Sequence, residues 1–471
     1  MKLYDYQRPA VDSIRLLYSK GKRKVILCAP TGSGKTVMFS YMAQKVAANK
    51  KKVLILTDRI ELLTQTNGTL QAFNIKADIF KAGSKKIPSG AVVVAMAETI
   101  KRRLKSPAYI NWFHSFNLVI ADEAHKRTFD KILTHLTKEQ YLIGATATPE
   151  RKGRKTTQLN EFYQDIVETD NVQELISKGR LAEPKYFGNQ IDLSNVRIEK
   201  GEYSKFDLER VYRRLNKSLV SNYQKHIKGL KTILFASNVA NSKDAYNSFV
   251  GGGYNARHLD GTTPTKERRE ILSWFRAEED AILCNANVLT TGFDEDTIKA
   301  VIIWRATTSL PLLMQMIGRG SRVREGKDQF IILDFGNNIQ RHGFWEQPRK
   351  WSLTHRIGNE GIAPLKFCPN CDAVINAGLR VCNYCGAEMK IAKKYIIQEL
   401  CELSRPEQED ETQTAISGQD WERLETIVEA RGYKKTWILF RLAKDGERLQ
   451  SYAKYKGYNK YYLNRILNRR Y

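Results

Sequence analysis

The sequence of 471 residues has no long apolar stretch: no run approaches the ~18 apolar residues that a membrane-spanning helix needs. Its first residues, MKLYDYQRPA, lack the apolar core of a signal peptide. Cysteine is scarce, with seven in total, and four of these fall within one short segment. These absences argue against an integral membrane protein and against a secreted, disulfide-rich one. We therefore expect a soluble, intracellular protein.

Acidic residues are few relative to basic ones, 51 against 77, which gives a formal net charge of +26. Solubility alone can account for a small excess, but this one is large and partly clustered. It favours a polyanionic partner. We expect nucleic acid and no membrane partner, because no basic amphipathic anchor stands out.

The chain is too long for a single core and predicts two or three domains. Short apolar runs alternate with helix-like stretches, first as KVILCAP, KVLILTD, AVVVAMA, NLVIADE and YLIGATA, then as KTILFAS, ARHLDG, DAILCNA, AVIIWRA and FIILDFG. Nearly continuous apolar strands, each followed by room for a crossover helix, predict parallel sheets buried on both faces. Two sets in series predict two α/β domains that join within residues 165–225, and the alternation stops beyond about 355.

A candidate phosphate site follows the first of these strands, as APTGSGKT at residues 29–36. Glycines let the backbone wrap so that N–H groups face a phosphate at a helix N-terminus. The lysine would reach the β- and γ-phosphates, and the threonine hydroxyl would ligate Mg²⁺. Ala29 replaces the first glycine of the strict pattern, and a chance GKT in a loop is the alternative. The candidate loop residues are Thr31, Gly32, Ser33, Gly34, Lys35 and Thr36.

A second acidic motif, NLVIADEAH, ends an apolar strand about ninety residues later. Asp122 can hold magnesium through its water shell, and Glu123 can polarise the attacking water. For His125 we expect a coupling contact rather than general-base chemistry.

These residues resemble a known family. APTGSGKT, DEAH, TAT, TTGFD and QMIGRGSR occur in the order found in superfamily 2 helicases, over roughly residues 1–345. The chain is most similar to DEAH-box members of the RadD type, which are bacterial DNA-repair helicases, and to related phage helicases. The supporting stretches are LTTGFDEDT, RATTSLPLLMQMIGRGSR, LDFGNNIQRHG, a following cysteine cluster and ARGYKKTW.

The resemblance implies an ATP cleft between two RecA-like domains, which we place at residues 1–170 and 171–355. Gln7 matches the glutamine that reads the adenine edge, and Tyr4 stands where the family often has an arginine stacked on adenine. Gly292 and Asp294 match the ribose and phosphate side of the second domain. Thr146 and Thr148 match the family's motif that links hydrolysis to domain movement.

Two arginines in LLMQMIGRGSRVR lie three residues apart, a spacing that on a helix points both guanidinium groups the same way. By resemblance, Arg319 and Arg322 are arginine fingers that the second domain brings to the γ-phosphate. One such arginine is worth about 10³–10⁵ in rate. Gln315 would share their helical face and position water. The alternative is a surface salt-bridge ladder.

Other positions match the family's contacts to the nucleic-acid backbone: Arg59, Ser237, Asn238 and Thr290. Contacts to phosphate carry no sequence information, so binding should be salt-sensitive and sequence-tolerant. The basic segments 101–105 and 151–155 are expected to be exposed beside this track.

The cysteine cluster has the spacing C-x₂-C-x₁₀-C-x₂-C and forms a small module that we place at residues 356–392. Four thiolates at this spacing suit tetrahedral Zn²⁺ and leave no open position, so the metal would be structural. Two disulfides or an iron–sulfur cluster are the alternatives. The ligands would be Cys368, Cys371, Cys382 and Cys385.

The last segment, 393–471, is expected to be small, basic and mainly helical. Residues 431–471 contain 12 Lys or Arg, 2 Asp or Glu and seven tyrosines. Basic charge can follow a phosphate backbone while aromatic rings stack on bases. A helical accessory domain with tyrosines packed inside explains the composition equally well.

The leading hypothesis is an ATP- and Mg²⁺-dependent DNA helicase or translocase in DNA repair, recombination or replication, in a bacterial cytoplasm or encoded by a phage. Its DNA would be single-stranded, forked or branched, and the RadD resemblance suggests a single-strand binding protein as partner. An RNA-dependent ATPase is the second hypothesis. The third is a non-catalytic zinc-ribbon protein with a degenerate ATPase core.

Overall fold

The computed structural model describes most of the first 354 residues and separate pieces of the remainder. The described residues are 3–151, 157–188, 191, 193, 196–199, 201–286, 288–290, 292–293, 295–354, 365–367, 374–376, 381, 386–388, 400–403, 419–430, 438, 442, 446–458 and 463. Asp294 and the four cysteines of the cluster (Cys368, Cys371, Cys382 and Cys385) lie outside them. Among the described residues, no helix has both the length and the apolar character to cross a membrane.

The first domain is built on a seven-stranded parallel sheet of order β3-β4-β2-β5-β6-β1-β7. Its strands are β1 (Lys24–Cys28), β2 (Val53–Thr57), β3 (Asp78–Phe80), β4 (Val92–Met96), β5 (Leu118–Asp122), β6 (Tyr141–Thr146) and β7 (Asp165–Glu168). Its helices are α1 (Arg8–Ser19), α2 (Lys35–Ala48), α3 (Ile60–Ala72), α4 (Ala97–Arg103), α5 (Pro107–His114) and α6 (Asp130–Leu133). Two 3₁₀ turns lie at Arg127–Phe129 and Leu159–Glu161.

Both faces of this sheet are buried, which explains its continuous apolar strands. In β1, Val25 and Leu27 pack into a cluster with α1, α2 and α3. The alternate residues, Ile26 and Cys28, pack into a second cluster with α4, α5 and α6. Successive side chains of a strand point to opposite faces, so one apolar run supplies two cores.

The second domain has a seven-stranded sheet of order β12-β13-β11-β14-β15-β8-β18, parallel except for the β8–β18 pair. The strands that follow the first domain are β8 (Glu183–Gly188), β9 (Ile198–Glu199), β10 (Glu202–Tyr203), β11 (Thr232–Ala236), β12 (Ala256–Leu259), β13 (Ile282–Ala286), β14 (Ala300–Trp304), β15 (Gln329–Asp334), β16 (Leu365–Phe367), β17 (Val374–Asn376) and β18 (Cys401–Leu403). Strands β9 and β10 form a hairpin, as do β16 and β17.

Helices of the second domain are α7 (Val172–Ser177), α8 (Lys205–His226), α9 (Val239–Gly251), α10 (Thr265–Ala277), α11 (Leu310–Ile317) and α12 (Asn338–His342). Two further helices, α13 (Trp421–Ala430) and α14 (Gly446–Lys456), lie near the C-terminus. They share a small apolar cluster that includes Trp421 and Tyr452. Tyr452 is fully buried, whereas Tyr455 is exposed.

All ten apolar runs form strands, so the predicted pair of parallel-sheet α/β domains is confirmed. In the two seven-stranded sheets, the sequence did not single out β3, β7, β8 and β18, whose segments are short or begin with a charged residue. Three of the four are edge strands and β8 is the second strand from its edge, where fewer residues need to be apolar.

We predict opposite stability effects for two Gly→Ala changes in the first domain. A Cβ on Gly144, in β6, would lie 2.6 Å from the ring of Tyr163 and 2.7 Å from Cβ of Ala124. Overpacking of this kind costs about 1–3 kcal/mol, so Gly144→Ala should lower the melting temperature. Gly68, in α3, has no atom within 4 Å of the added Cβ. Gly68→Ala should increase the free energy of unfolding by about 0.5–1 kcal/mol and so raise the melting temperature. Equal shifts would contradict the packing around β6.

Candidate active site

The phosphate loop connects β1 to α2 and ends in two left-handed glycines. Gly32 has φ +88° and Gly34 has φ +81°, conformations that glycine adopts without steric cost. The Lys35 ammonium donates to the carbonyls of Ala29 (3.1 Å) and Pro30 (3.2 Å), so it folds over the loop. Thr36 follows in the first turn of α2. The helix N-terminus and the lysine therefore converge at one place, as anion binding requires.

The acidic pair lies at the carboxyl end of β5, beside the loop. Glu123 has φ +58°, a left-handed conformation that costs a non-glycine residue about 1–3 kcal/mol and is typical of functional sites. Its backbone N–H donates to Oδ1 of Asp122 at 3.1 Å. Among the described residues, the buried Oε2 of Glu123 has no hydrogen-bond partner. It is available to a water molecule or an ion.

The two carboxyl groups of this site are buried next to each other and close to the partly buried Lys35. Burial and the neighbouring Glu123 carboxylate raise the pKa of Asp122 to about 7. Burial also favours protonation of Glu123, but His125 and Lys35 outweigh it, so the pKa of Glu123 is lowered. For Lys35, burial lowers the pKa while Glu123 and Asp122 oppose the shift. The lysine and both carboxyl groups therefore form one electrostatic unit.

His125 connects the acidic strand to β6. Its Nδ1 lies 2.8 Å from Oγ1 of Thr146 and 3.5 Å from Oε2 of Glu123. The backbone N–H of Thr148 donates to the same threonine oxygen at 3.1 Å. Burial lowers the pKa of His125 to about 4, so the imidazole is neutral near pH 7. His125 therefore connects the acidic motif at 122–125 to the TAT motif at 146–148.

Arg151 holds this acidic loop in place, and the prediction that residue 151 is exposed was wrong. Arg151 is only 5% exposed. Its guanidinium pairs with Asp130 at 2.8 and 3.1 Å. It also donates to the carbonyls of Ala124 (3.3 Å), His125 (2.9 Å) and Lys126 (3.2 Å). The segment 152–156 lies outside the described residues, and the other basic segment, 101–105, is largely exposed as expected.

Gln7 braces the phosphate loop from the N-terminal side. It is buried, and its Nε2 donates to the carbonyl of Ser33 at 2.9 Å, as does the hydroxyl of Tyr6. Its Oε1 accepts from the backbone N–H of Tyr4 at 3.0 Å. A Cβ on Gly34 would lie 2.5 Å from Nε2 of Gln7. Glycine at position 34 is thus needed for both its φ and this close approach.

Tyr4 is half exposed and forms a small aromatic stack. Its ring lies nearly parallel to that of Tyr6, at 11° with centroids 5.8 Å apart. The guanidinium carbon of Arg180 lies 4.5 Å from the centroid of the Tyr4 ring. Arg180 belongs to the segment between the two sheets, and no local sequence signal marked it.

The two candidate arginine fingers do not lie on a helix. Helix α11 ends at Ile317 with Gly318 as its C-cap, so the prediction that Arg319 and Arg322 share one helical face was wrong. Arg319 lies in the turn that follows, and Arg322 forms an isolated bridge with Leu181. Glycines at 318 and 320 disfavour continuation of the helix. Gln315 remains on α11, buried, and its Nε2 has no hydrogen-bond partner within the described part of the chain.

The turn after α11 packs directly on the phosphate loop. A Cβ on Gly318 would lie 2.6 Å from Cβ of Thr31. A Cβ on Gly32 would lie 3.3 Å from Oγ of Ser321 and 3.0 Å from Leu181. Only a residue without a side chain allows the backbone at position 318 to approach so closely. The second domain therefore touches the candidate nucleotide site through this turn.

Arg319 is buried at this contact, with 6% exposure. It donates to the carbonyl of Phe293 at 2.5 Å and to the carbonyl of Thr290 at 2.7 and 3.2 Å. Burial lowers the pKa of Lys35, and the positive charge of Arg319 adds to this effect. The guanidinium thus lies within electrostatic reach of the phosphate-loop lysine.

A second contact between the domains involves the start of α3. A Cβ on Gly292 would lie 2.7 Å from Cβ of Glu61, whose carboxylate pairs with Arg268 at 3.2 Å. Arg59 donates to the carbonyl of Val288 at 3.3 Å. Gly292 and Arg59 thus both lie between the two sheets.

Ser237 and Asn238 lie at the carboxyl end of β11, where both side chains make local bonds. Ser237 is buried, and its Oγ accepts from Nδ2 of Asn241 at 2.5 Å. Asn238 caps α9 by accepting from the backbone N–H of Asn241 at 2.8 Å, and it donates to the carbonyl of Lys205 at 3.2 Å. Thr290 is also buried.

Comparison with known proteins identifies this architecture. Residues 1–151 match the family described as type III restriction enzyme, res subunit, and residues 212–324 match the helicase conserved C-terminal domain. A 51.5 kDa protein of Lactococcus phage (isolate 7-9) is 29% identical over 377 residues, which are 78% of each chain. The chain belongs to the superfamily 2 helicases. It is an ATP-hydrolysing enzyme.

Two further similarities extend this assignment. A candidate ATP-dependent helicase of Saccharomyces cerevisiae, IRC3, is 32% identical over 359 residues, which are 71% of this chain and 51% of that protein. The helicase thus spans about half the length of this yeast relative. A fragment of a candidate HsdR subunit of a type I restriction enzyme from Vibrio vulnificus YJ016 has the same fold, with TM-score 0.59 and 21% identity. That similarity covers 73% of this chain and 66% of the fragment.

The helicase site fits a magnesium nucleotide by the chemistry of its donors. Thr36 and Asp122 offer the hydroxyl and carboxylate oxygens that Mg²⁺ prefers, and the buried Oε2 of Glu123 can accept from a water molecule. When bound, Mg²⁺ would neutralise phosphate charge and relieve the repulsion between the two carboxyl groups. Among the described residues, no cluster of three or more His, Cys, Asp or Glu suits a separate metal ion.

We predict that Arg151→Met destabilises the helicase and disturbs its acidic loop. Breaking a buried ion pair costs about 3–5 kcal/mol. The melting temperature and the ATPase rate should both fall, because the carbonyls at 124–126 lose their hydrogen-bond donor. Arg15→Met, which breaks an exposed ion pair with Asp12, should stay within about 1 kcal/mol of wild type and keep its activity. An Arg151→Met protein as stable and active as the control would contradict this role.

We also predict that Arg319→Ala retains nucleotide binding but loses hydrolysis, by about 10³–10⁵ in kcat. Fluorescent-nucleotide titration and steady-state ATPase assays would separate the two effects. Arg324, five residues further along and 57% exposed, provides the matched control. Arg324→Ala should behave as wild type. Normal turnover by Arg319→Ala would contradict a role for this arginine in phosphoryl transfer.

Proposed function

We propose that this helicase moves along or remodels DNA by coupling ATP hydrolysis to the relative position of its two domains. The observation that carries the proposal is the turn at 318–321, which packs on residues 31–32 and places Arg319 near Lys35. Lys35 and Thr36 would hold the phosphates and Mg²⁺, and Asp122 and Glu123 would serve the metal and the water. Since groups from both domains are needed, hydrolysis would require domain closure.

Nucleotide recognition would use the N-terminal residues. Gln7 would contact the adenine edge, and its bond to Ser33 would connect that contact to the phosphate loop. Tyr4 would stack on the base. Gln315 would help position water, because its Nε2 is buried without a hydrogen-bond partner among the described residues. Arg322 and Asp294 keep the roles that the family motifs give them: a second arginine at the phosphates and a ribose-side carboxylate.

DNA is the proposed track because the motifs most resemble RadD-type DNA-repair helicases and phage DEAH-box helicases, and because the net charge of +26 suits a polyanion. The proposed contacts to the DNA backbone are at Arg59, Ser237, Asn238 and Thr290. Since the last three side chains are buried or internally bonded, we propose main-chain contacts there. A role in repair, recombination or replication, with a single-strand binding protein as partner, follows from the same resemblance.

We further propose that Cys368, Cys371, Cys382 and Cys385 bind one structural Zn²⁺. Their spacing supports this role, since four thiolates close a tetrahedral site. The basic segment that follows would add affinity for nucleic acid.

An RNA-dependent ATPase is the second candidate, because the DEAH and GFD motifs do not discriminate between DNA and RNA. The third hypothesis, a degenerate and non-catalytic core, is wrong: the chain is an ATP-hydrolysing enzyme, and it retains Lys35, Asp122, Glu123 and Arg319.

ATPase assays with single-stranded, forked and branched DNA and with RNA would test the track. We expect DNA to stimulate turnover about tenfold more than RNA of equal length, or about 1.4 kcal/mol of activation free energy. Stimulation should weaken as salt rises, because phosphate contacts release counterions. The Lys35→Ala protein is the control: it should bind DNA without hydrolysing ATP. Greater stimulation by RNA would overturn the DNA assignment.

A further inference from the structure

The outer face of α8 presents an aromatic ring followed by a row of cations. Its inner residues, Leu208, Tyr212, Leu215 and Leu219, are buried in the core of the second domain. On the opposite face, at helical spacing, the exposed residues are Phe206, Arg210, Arg213, Arg214 and Lys217. Phe206 is 57% exposed, which is unusual for a residue that would gain about 2 kcal/mol from burial.

Charges on this face are only partly neutralised within the domain. Arg213 pairs with Glu209 at 2.9 Å. Arg210 instead lies over the ring of Phe206, with its guanidinium carbon 4.6 Å from the centroid. Within the described part of the chain, Arg214 and Lys217 form no salt bridge. The face therefore combines a cation–π pair with uncompensated positive charge.

This face begins at the same edge of the sheet as the proposed DNA contacts. The carbonyl of Lys205, the residue before Phe206, accepts from Nδ2 of Asn238 at 3.2 Å. The β9–β10 hairpin just before α8 is fixed over the loop after β14, because the Glu202 carboxylate accepts from Thr307 (2.6 Å) and Thr308 (2.8 Å). Phe206 is therefore held beside the carboxyl ends of β11 and β14.

We propose that Phe206 stacks on a base of single-stranded nucleic acid whose phosphates follow Arg210, Arg214 and Lys217. The inference rests on the proposed function and adds a base contact to it. Every base has a π-face, so an exposed ring flanked by cations binds single strands without demanding sequence. A protein partner with an apolar surface is less suitable, because docking would bury these cations without partners.

Oligonucleotides with and without bases test the stacking directly. The probes are a fluorescent oligo-dT and an abasic strand of equal length and charge. Phe206→Ala should weaken oligo-dT binding about 5- to 150-fold, the loss expected for one base–aromatic stack. Its affinity for the abasic strand should equal that of wild type. Phe206→Trp should restore oligo-dT binding, and Leu16→Ala, which removes an exposed apolar side chain of α1, should change neither affinity.

The outcomes separate this inference from the proposed function. If wild type binds neither strand, the nucleic-acid track itself is wrong and the inference falls with it. If wild type binds both strands and Phe206→Ala binds oligo-dT as tightly, Phe206 stacks on no base. Equal weakening on both strands would likewise overturn the proposal, because it would place Phe206 in support of the phosphate path.

Discussion

Close packing of Gly318 against Thr31 is the contact on which the rest of the active site depends. It joins the turn after α11 to the phosphate loop, two elements that belong to different sheets. The turn brings Arg319 with it, and the carbonyls of Thr290 and Phe293 fix the direction of the guanidinium. A side chain at 318 would separate the loops. The position of Arg319 relative to the candidate phosphate loop thus depends on backbone contact between the domains.

The electrostatics of the site follow from this contact. Asp122 and Glu123 are buried beside the partly buried Lys35, and Arg319 adds positive charge from the second domain. Burial of so many charges is costly unless they are paired. A nucleotide phosphate with its metal ion would provide the missing negative charge for the cations and the missing positive charge for the carboxylates. Binding and domain closure would therefore reinforce each other.

Sequence patterns anticipated the elements whose signal is local. Apolar runs identified both parallel sheets, and the glycines of APTGSGKT identified the turn between β1 and α2 that carries the candidate phosphate site. Position Arg151 was misjudged, because its partners are main-chain carbonyls at 124–126 that only the folded chain brings to it. Arg180 was missed for the same reason, because Tyr4, which it contacts, lies at the other end of the first domain in the sequence. The end of α11 was misplaced because Gly318 was weighed as part of a motif and not as a helix stop.

A crystal structure with ADP and beryllium fluoride would test the central claim most directly. We predict that Arg319 then lies within hydrogen-bonding distance, about 3 Å, of the fluoride group that stands for the γ-phosphate, with Lys35 on the opposite side. The 318–321 turn should stay packed on Thr31. A structure in which the nucleotide contacts the first domain alone, with Arg319 bonded to Thr290 and Phe293 and not to the fluoride group, would contradict this prediction.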